Sequence, residues 1–376
     1  MKKIEIYVHI PFCVSKCAYC DFYSMPMEEQ IRTDYIRAVI KQIEGEAPKH
    51  REYEVSSVYF GGGTPSSVMP QQLMIILDVL RKNYTFMDNA EITVECNPGT
   101  ITRAGLMTYR EHGVNRISFG LQSANDEELL LLGRIHDFAT FCESYQTARM
   151  TGFNNINVDL ISSIPGQNYD SFKKTLQKVV MFKPEHISVY SLILEEGTPL
   201  CERQKMGLNP PLPDEDEERR IYKMTGEILV KNGYFQYEIS NYARPGMECR
   251  HNIGYWDRTE YFGYGVSAAS LLGNRRFTVE KNIEKYIRNP LAAYTDEELL
   301  SEQDAMSEFM FLGLRMNQGV SISDFRNRFS RQLVNVFGAV INKYIESGHL
   351  LMNDERIFLS DKGRDVCNYI FSDFLL

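Results

Sequence analysis

The chain has 376 residues, 43% of them hydrophobic and 24% charged, enough to bury a barrel-sized core and a smaller second unit. Its 41 Lys+Arg against 50 Asp+Glu leave a formal net charge of -9, which argues against a general nucleic-acid binder, since those carry a basic stripe. Charges arrive too early in Met1-Lys2-Lys3-Ile4-Glu5 for a secretory leader, and no run of about 18 apolar residues occurs, so the expectation is a cytoplasmic protein.

The apolar alternation of Ile4 to Ile10 predicts a first strand, and a loop with Cys13, Cys17 and Cys20 follows it directly. Soft thiolates suit iron-sulfur chemistry, and three of them on a four-iron cubane leave one iron open to a reactant. Zinc with His9 as a fourth ligand is the competing reading, although zinc sites usually show two separated ligand pairs. A disulfide with a spare thiol is a third. The other five cysteines, Cys96, Cys142, Cys201, Cys249 and Cys367, are scattered and read as small buried apolar residues in a reducing compartment.

A helix over 28–44 leads to a β-rich run, 55–60, that ends in Gly61-Gly62-Gly63-Thr64-Pro65. The unit then repeats: helix 71–82 and strand 90–95, helix 102–112 and strand 116–119, short helices 126–132 and 139–150 and strand 155–161, helix 169–181 and strand 187–192. A last helix starts behind Pro213, where an acidic run suits a helix N-terminus. Six strand-then-helix units predict a parallel sheet in an incomplete (β/α)6 TIM-like barrel, with chemistry at the C-terminal ends of the strands. The cysteines, the glycine run, Glu95, Gln122 and Asp159 all fall at those ends.

Beyond Gly233 the pattern changes. Residues 234–240 read as a strand, an aromatic and glycine-rich stretch runs to 272, and from 296 the chain reads as mainly helical. Two helices, 323–329 and 332–347, a hairpin over 350–359 turning at Asn353-Asp354, and a last helix from 361 make a winged-helix-like order. Fold resemblance alone does not establish DNA binding, and no nucleic-acid partner is expected. The predicted division is a barrel over 1–233 with the cluster and its cofactor, a linking region over 234–295, and a smaller helical C-terminal domain over 296–376.

Cys-x3-Cys-x-Tyr-Cys after the first strand, Gly-Gly-Gly-Thr-Pro after the second, and six βα units together resemble a radical S-adenosylmethionine (SAM) protein. The resemblance makes Cys13, Cys17 and Cys20 the ligands of a 4Fe-4S cluster. In that family the open iron binds SAM, and an electron from the cluster cleaves the sulfonium to methionine and a 5'-deoxyadenosyl radical. Tyr7-Val8-His9-Ile10-Pro11-Phe12 before the first cysteine is similar to the coproporphyrinogen dehydrogenase branch, whose SAM contacts carry over to Tyr7, Tyr19, Gly62, Gly63, Thr64, Glu95, Gln122, Arg134, Asp159, Ile193 and Ala269. Glycines allow close backbone approach, Glu95 and Asp159 offer acceptors to amine and hydroxyl groups, and Arg134 can pair with a carboxylate.

Two departures separate the chain from the oxidase of that branch. Phe22 stands where the oxidase has a further cysteine, and only twelve residues precede Cys13, where the oxidase has an N-terminal extension. His251-Asn252-Ile253-Gly254-Tyr255-Trp256 matches instead the His-Asn-x-x-Tyr-Trp pattern of the heme chaperones related to it, and Trp256 is the sole tryptophan. Imidazole is a common axial ligand to heme iron, while Tyr255 and Trp256 offer apolar surface to a porphyrin face. Without the family, a lone histidine in an aromatic loop is more often a hydrogen-bonded structural residue. The resemblance implies a protein that binds heme and passes it to acceptor hemoproteins such as respiratory cytochromes or oxidases, served by an electron donor. It also allows a homodimer and peripheral membrane contact through the acceptors. The alternative is oxygen-independent coproporphyrinogen III oxidation by radical decarboxylation of propionate side chains.

Overall fold

The computed structural model describes residues 1–26, 28–292 and 294–376. Twelve strands among them form one sheet. Six belong to the predicted units: β1 (Lys2–Ile10), β2 (Tyr53–Gly62), β3 (Thr85–Cys96), β4 (Arg116–Gln122), β5 (Ile156–Ser162) and β6 (His186–Ser191). They pair in that order and all in parallel, as crossover connections require. Ile4, Ile6, Val8 and Ile10 of β1 are fully buried, as are Val55, Val58 and Phe60 of β2, so the sheet lies at the centre of the core.

Helices α1 (Glu29–Glu46), α2 (Pro70–Asn83), α3 (Arg103–Glu111), α4 (Asp126–Leu131), α5 (Phe138–Met150), α6 (Tyr169–Val180), α7 (Pro199–Lys205) and α8 (Glu215–Lys231) return the chain between strands or follow the last of them. Several start on a side-chain cap that the sequence shows plainly: Thr102, Asn125, Asp137, Asn168, Thr198 and Asp214 each accept a backbone N–H of the first turn. Among the described residues no helix is long and apolar enough to cross a membrane.

The region after 233 departs from expectation in three places. The expected strand over 234–240 shortens to β7 (Phe235–Gln236), because Glu238 turns its carboxylate back to accept the N–H of Ser240 and so bends the chain. β8 (Asn241–Ala243) then runs antiparallel to β6. The aromatic stretch supplies β9 (Tyr261–Tyr264), a strand parallel to β1 on the side away from β2, and β10 (Ala269–Leu272), β11 (Arg275–Val279) and β12 (Tyr294–Leu299) extend that edge in antiparallel fashion. β12 also postpones the helical part of the chain beyond 296. The His251–Trp256 segment, expected as a loop, lies in α9 (Arg250–Trp256).

After α10 (Ile283–Arg288), the C-terminal part has its own core of Met306, Met310, Phe325, Phe337, Ile341, Ile357 and Ile370, among others. Helices α11 (Glu302–Gly313), α12 (Ile322–Phe329) and α13 (Leu333–Glu346) pack with a three-stranded antiparallel sheet of β13 (Val320–Ser321), β14 (Leu350–Met352) and β15 (Arg356–Leu359). This is the winged-helix-like order read from the sequence.

Candidate functional site

The cysteine loop hangs from the C-terminal end of β1 and is tied down at Ala18, which donates its N–H to the Leu132 carbonyl (2.9 Å) and accepts from the N–H of Leu200 (2.8 Å). Ala18 packs in a small apolar cluster with Leu132, Ile161, Ile164 and Leu200, with Tyr19 against its edge. Gly133 lets the following loop approach, since a Cβ there would stand 3.0 Å from the Ala18 nitrogen. Cys13, Cys17 and Cys20 are all free thiols.

Their surroundings are donors. The Thr64 hydroxyl lies 3.5 Å from Cys13 Sγ, and Arg134 Nη1 lies 3.2 Å from Cys17 Sγ. Burial pushes the Cys13 and Cys20 thiols up from their ordinary range, so something electropositive is required to hold them as thiolates. Among the described residues, no three Cys, His, Asp or Glu side chains converge as a single metal ion would demand. A cubane sets each thiolate on its own iron, and three thiols spread along one loop fit that requirement.

The glycine run closes over the loop from β2. Gly62 has φ +110°, and a Cβ on it would meet the His9 ring at 2.5 Å; a Cβ on Gly63 would stand 2.8 Å from the Phe12 carbonyl oxygen. Gly63 and Thr64 donate their N–H groups back to Ile10 and Phe12 (both 2.8 Å). His9 is held by Tyr7 and by the Tyr23 carbonyl, and burial lowers its pKa to about 4, so it stands there as neutral imidazole.

Across the strand ends the polar groups meet in two sets. Arg134 Nη2 donates to Asn97 Oδ1 (2.7 Å) and to the Gly120 carbonyl (2.6 Å), Asn97 Nδ2 donates to Thr64 Oγ1 (2.9 Å), and Arg134 Nε is buried without a partner among the described residues. Gln122, at φ +71°, brings its amide over Gly120 beside Asn97. In the second set the Tyr59 hydroxyl donates to Glu95 Oε1 (2.9 Å), while Ser118 and Asn157 donate to the two oxygens of Asp159 (2.9 and 2.8 Å). Burial, and then the Asp159 charge, push the Glu95 carboxyl up to about 7. Tyr7, Tyr19, Gly62, Gly63, Thr64, Glu95, Gln122, Arg134 and Asp159 thus all lie at one end of the sheet.

The other two expected contacts lie outside these sets. Ile193, past β6, is 70% exposed, and Ala269, the first residue of β10, opens on a separate cleft of about 300 Å3 shared with Tyr7, His9, Phe22, Tyr23, Tyr255 and Tyr261. Phe22 is 66% exposed at its rim. Tyr59 and Asn97 join the site without being marked in the sequence, one lying inside a strand and the other just past the end of the next. Asn97 follows Glu95 by two positions, and that spacing at a strand end was the available signal.

The segment from 251 to 256 does not gather around one opening. α9 starts where Glu91 of β3 accepts the N–H groups of Arg250 and His251 (both 3.2 Å). His251 points into the sheet core, 2% exposed, with Nδ1 2.8 Å from Ser57 Oγ and Nε2 3.2 Å from the Tyr255 hydroxyl. Its Nδ1 is also 3.7 Å from Glu5, but burial lowers the imidazole to about 3 and raises the Glu5 carboxyl well above its usual range. The imidazole is therefore neutral, and burial opposes charge on both partners. Trp256 faces the opposite way, under the Arg315 guanidinium (4.6 Å), in a patch with Tyr237, Ala243, Met316 and Ile253. Asn252 is half-buried and donates its N–H to the Cys249 sulfur.

Residues 7–179 match the model of the radical SAM superfamily, and residues 300–366 match that of the HemN C-terminal domain. The protein named heme chaperone HemW from Lactococcus lactis is 37% identical over 377 residues, covering 100% of this chain and 98% of its own, and its Bacillus subtilis namesake is 33% identical over 98% of both. The chain belongs to the HemW family of radical SAM proteins. Membership implies a 4Fe-4S cluster and SAM as its cofactors. Among solved structures, the HemN coproporphyrinogen III oxidase of Escherichia coli, described as a radical SAM enzyme, superposes with a TM-score of 0.87 at 26% identity, covering 100% of this chain and 90% of that one. HemW-family membership and that superposition agree on the open six-unit barrel with its C-terminal domain.

Proposed function

We propose that this protein is a heme chaperone that carries heme to acceptor hemoproteins, with Cys13, Cys17 and Cys20 as ligands of its cluster. The observation that carries the reading is similarity along the whole chain to proteins named heme chaperones, in a chain where two of the three loop thiols, Cys13 and Cys17, face a hydroxyl and a guanidinium donor. When bound, the cluster supplies an electron and an open iron at the mouth of the barrel. SAM belongs beside it: Gly62 and Gly63 leave room for backbone approach, Glu95 and Asp159 accept from its hydroxyl and amine groups, and the orphaned Arg134 Nε offers a donor to its carboxylate. Tyr7, Tyr19, Thr64 and Gln122 complete that pocket, with Ile193 and Ala269 at its margin.

Heme is assigned to the segment of His251, Asn252, Tyr255 and Trp256. Ligation of heme iron by His251 requires the ring to leave Ser57 or Tyr255, because both nitrogens are engaged by them. The reading extends to respiratory cytochromes or oxidases as acceptors, an electron donor, a homodimer, and a functional division at 233 and 295. Anaerobic reconstitution followed by heme titration tests it. Wild-type protein is expected to bind heme and transfer it to an apo-acceptor, and His251→Ala to lose binding; indifference to His251 would remove its ligand role.

The high structural similarity to the oxidase favours one competing reading, radical decarboxylation of coproporphyrinogen III. Product analysis with reduced cluster and SAM decides between them: stoichiometric protoporphyrinogen would overturn the chaperone assignment.

A further inference from the structure

Four aromatic rings form a column through the centre of the sheet. Tyr255 stands edge-on to His251 with centroids 5.0 Å apart at 82°; His251 stacks on Tyr59 at 5.0 Å and 21°; Tyr59 stacks in turn on Tyr7 at 6.4 Å and 23°. Both ends of the column, Tyr255 and Tyr7, line the aromatic cleft. Its middle reaches the strand ends, because the Tyr59 hydroxyl donates to Glu95.

We propose that His251 is a positioning residue for the cofactor pocket: its imidazole, fixed between Ser57 and Tyr255, holds the Tyr59 ring so that the Tyr59 hydroxyl keeps the Glu95 carboxylate in place. This rests on the reading of Glu95 as a SAM contact, and it is independent of whether His251 ever binds iron. The imidazole is suited to the task. Two hydrogen bonds on opposite sides of the ring leave it no free rotation, and its flat face is parallel to the phenol above it. Without it, Tyr59 faces a void and is free to tilt, and Glu95 loses the hydrogen bond from the Tyr59 hydroxyl.

The test is SAM binding to the cluster-loaded full chain by equilibrium dialysis, with circular dichroism and cluster absorbance as checks on folding. His251→Ala is expected to weaken SAM about tenfold, Tyr59→Phe about as much, and Ser57→Ala by a smaller factor in the same direction. Glu95→Gln weakens SAM by itself, and adding His251→Ala to it brings no further loss, because the two changes act through one contact. Wild-type affinity in His251→Ala, with Glu95→Gln weakened, overturns the positioning role and leaves the SAM assignment standing. Wild-type affinity in Glu95→Gln overturns the SAM assignment and the positioning role with it. Losses that multiply in the double variant mark a general loosening of the core and also overturn the proposal. If His251→Ala does not fold, Ser57→Ala decides: unchanged SAM affinity overturns it.

Discussion

Glu95 shows how much chemistry a single burial decision carries. It sits in the sheet with Asp159 close by, and the two causes, desolvation first and the like charge second, place its pKa at about 7 where an exposed glutamate has 4.5. The folded chain therefore keeps the proton longer than the unfolded chain does. Its contribution to stability is fully present below about pH 4.5 and is lost as the pH rises through about 7. Function runs the other way, because an acceptor for SAM hydroxyl or amine groups is stronger as the carboxylate. SAM affinity is expected to rise as the pH passes from about 6 to 8, a range set by the same pKa. Glu95→Gln should be weaker throughout and lose that slope, which isothermal titration at several pH values would show; a slope kept by the Gln variant assigns the titration to another group.

At the scale of elements, α9 separates what was written locally from what was not. Strands β1 to β6 and helix α8 follow from period, turn residues and caps close by in the chain. α9 has no side-chain cap of its own, and its first N–H groups are satisfied by Glu91, about 160 residues earlier. A tertiary cap of this kind leaves no local signal, so the segment read as a loop and its histidine read as available. Close packing against β1 adds to this: Gly254 lies on the Glu5 carboxylate, where any Cβ would collide. Strand β9 was hidden for a similar reason, since its glycine and aromatic content looks like a loop until β1 is there to pair with. Cysteine loop, glycine run and strand-end carboxylates were legible because their positions follow from the βα repeat alone. Glu91→Ala is expected to cost about 1–3 kcal/mol, the range for orphaned buried donors. Urea unfolding would measure it, and hydrogen exchange at Arg250 and His251 should accelerate selectively. Unchanged protection at those amides would mean that another acceptor takes over.

For the whole molecule, the decisive joint is between the sheet and the C-terminal helices. Glu308 of α11 accepts from Arg258, which follows α9, at 2.8 Å, and from Arg276 of β11 at 2.6 Å, so one carboxylate pins three elements. Arg258 and Glu308 are both nearly buried, with side chains 4% and 9% exposed, whereas Arg276 is more open at 35%. The joint is reinforced by Arg328, which donates to the carbonyls of Asp257 and Arg258 (3.2 and 3.0 Å), and by the Trp256–Arg315 contact. The end of the heme-assigned segment is thus built into the seam, and displacement of α9 would be felt by the C-terminal part. A pair this buried contributes little relative to an apolar replacement, but removing one partner strands a charge away from water, at a cost of about 3–5 kcal/mol. Glu308→Ala should therefore lower stability by that order, while Glu308→Gln, which keeps an acceptor, should lose less. The loss has a direction in space: with α11 released, limited proteolysis is expected to cut first between β12 and α11, leaving the sheet protected while the C-terminal fragment degrades. Simultaneous loss of both parts would show instead that the sheet depends on the C-terminal part for its own stability.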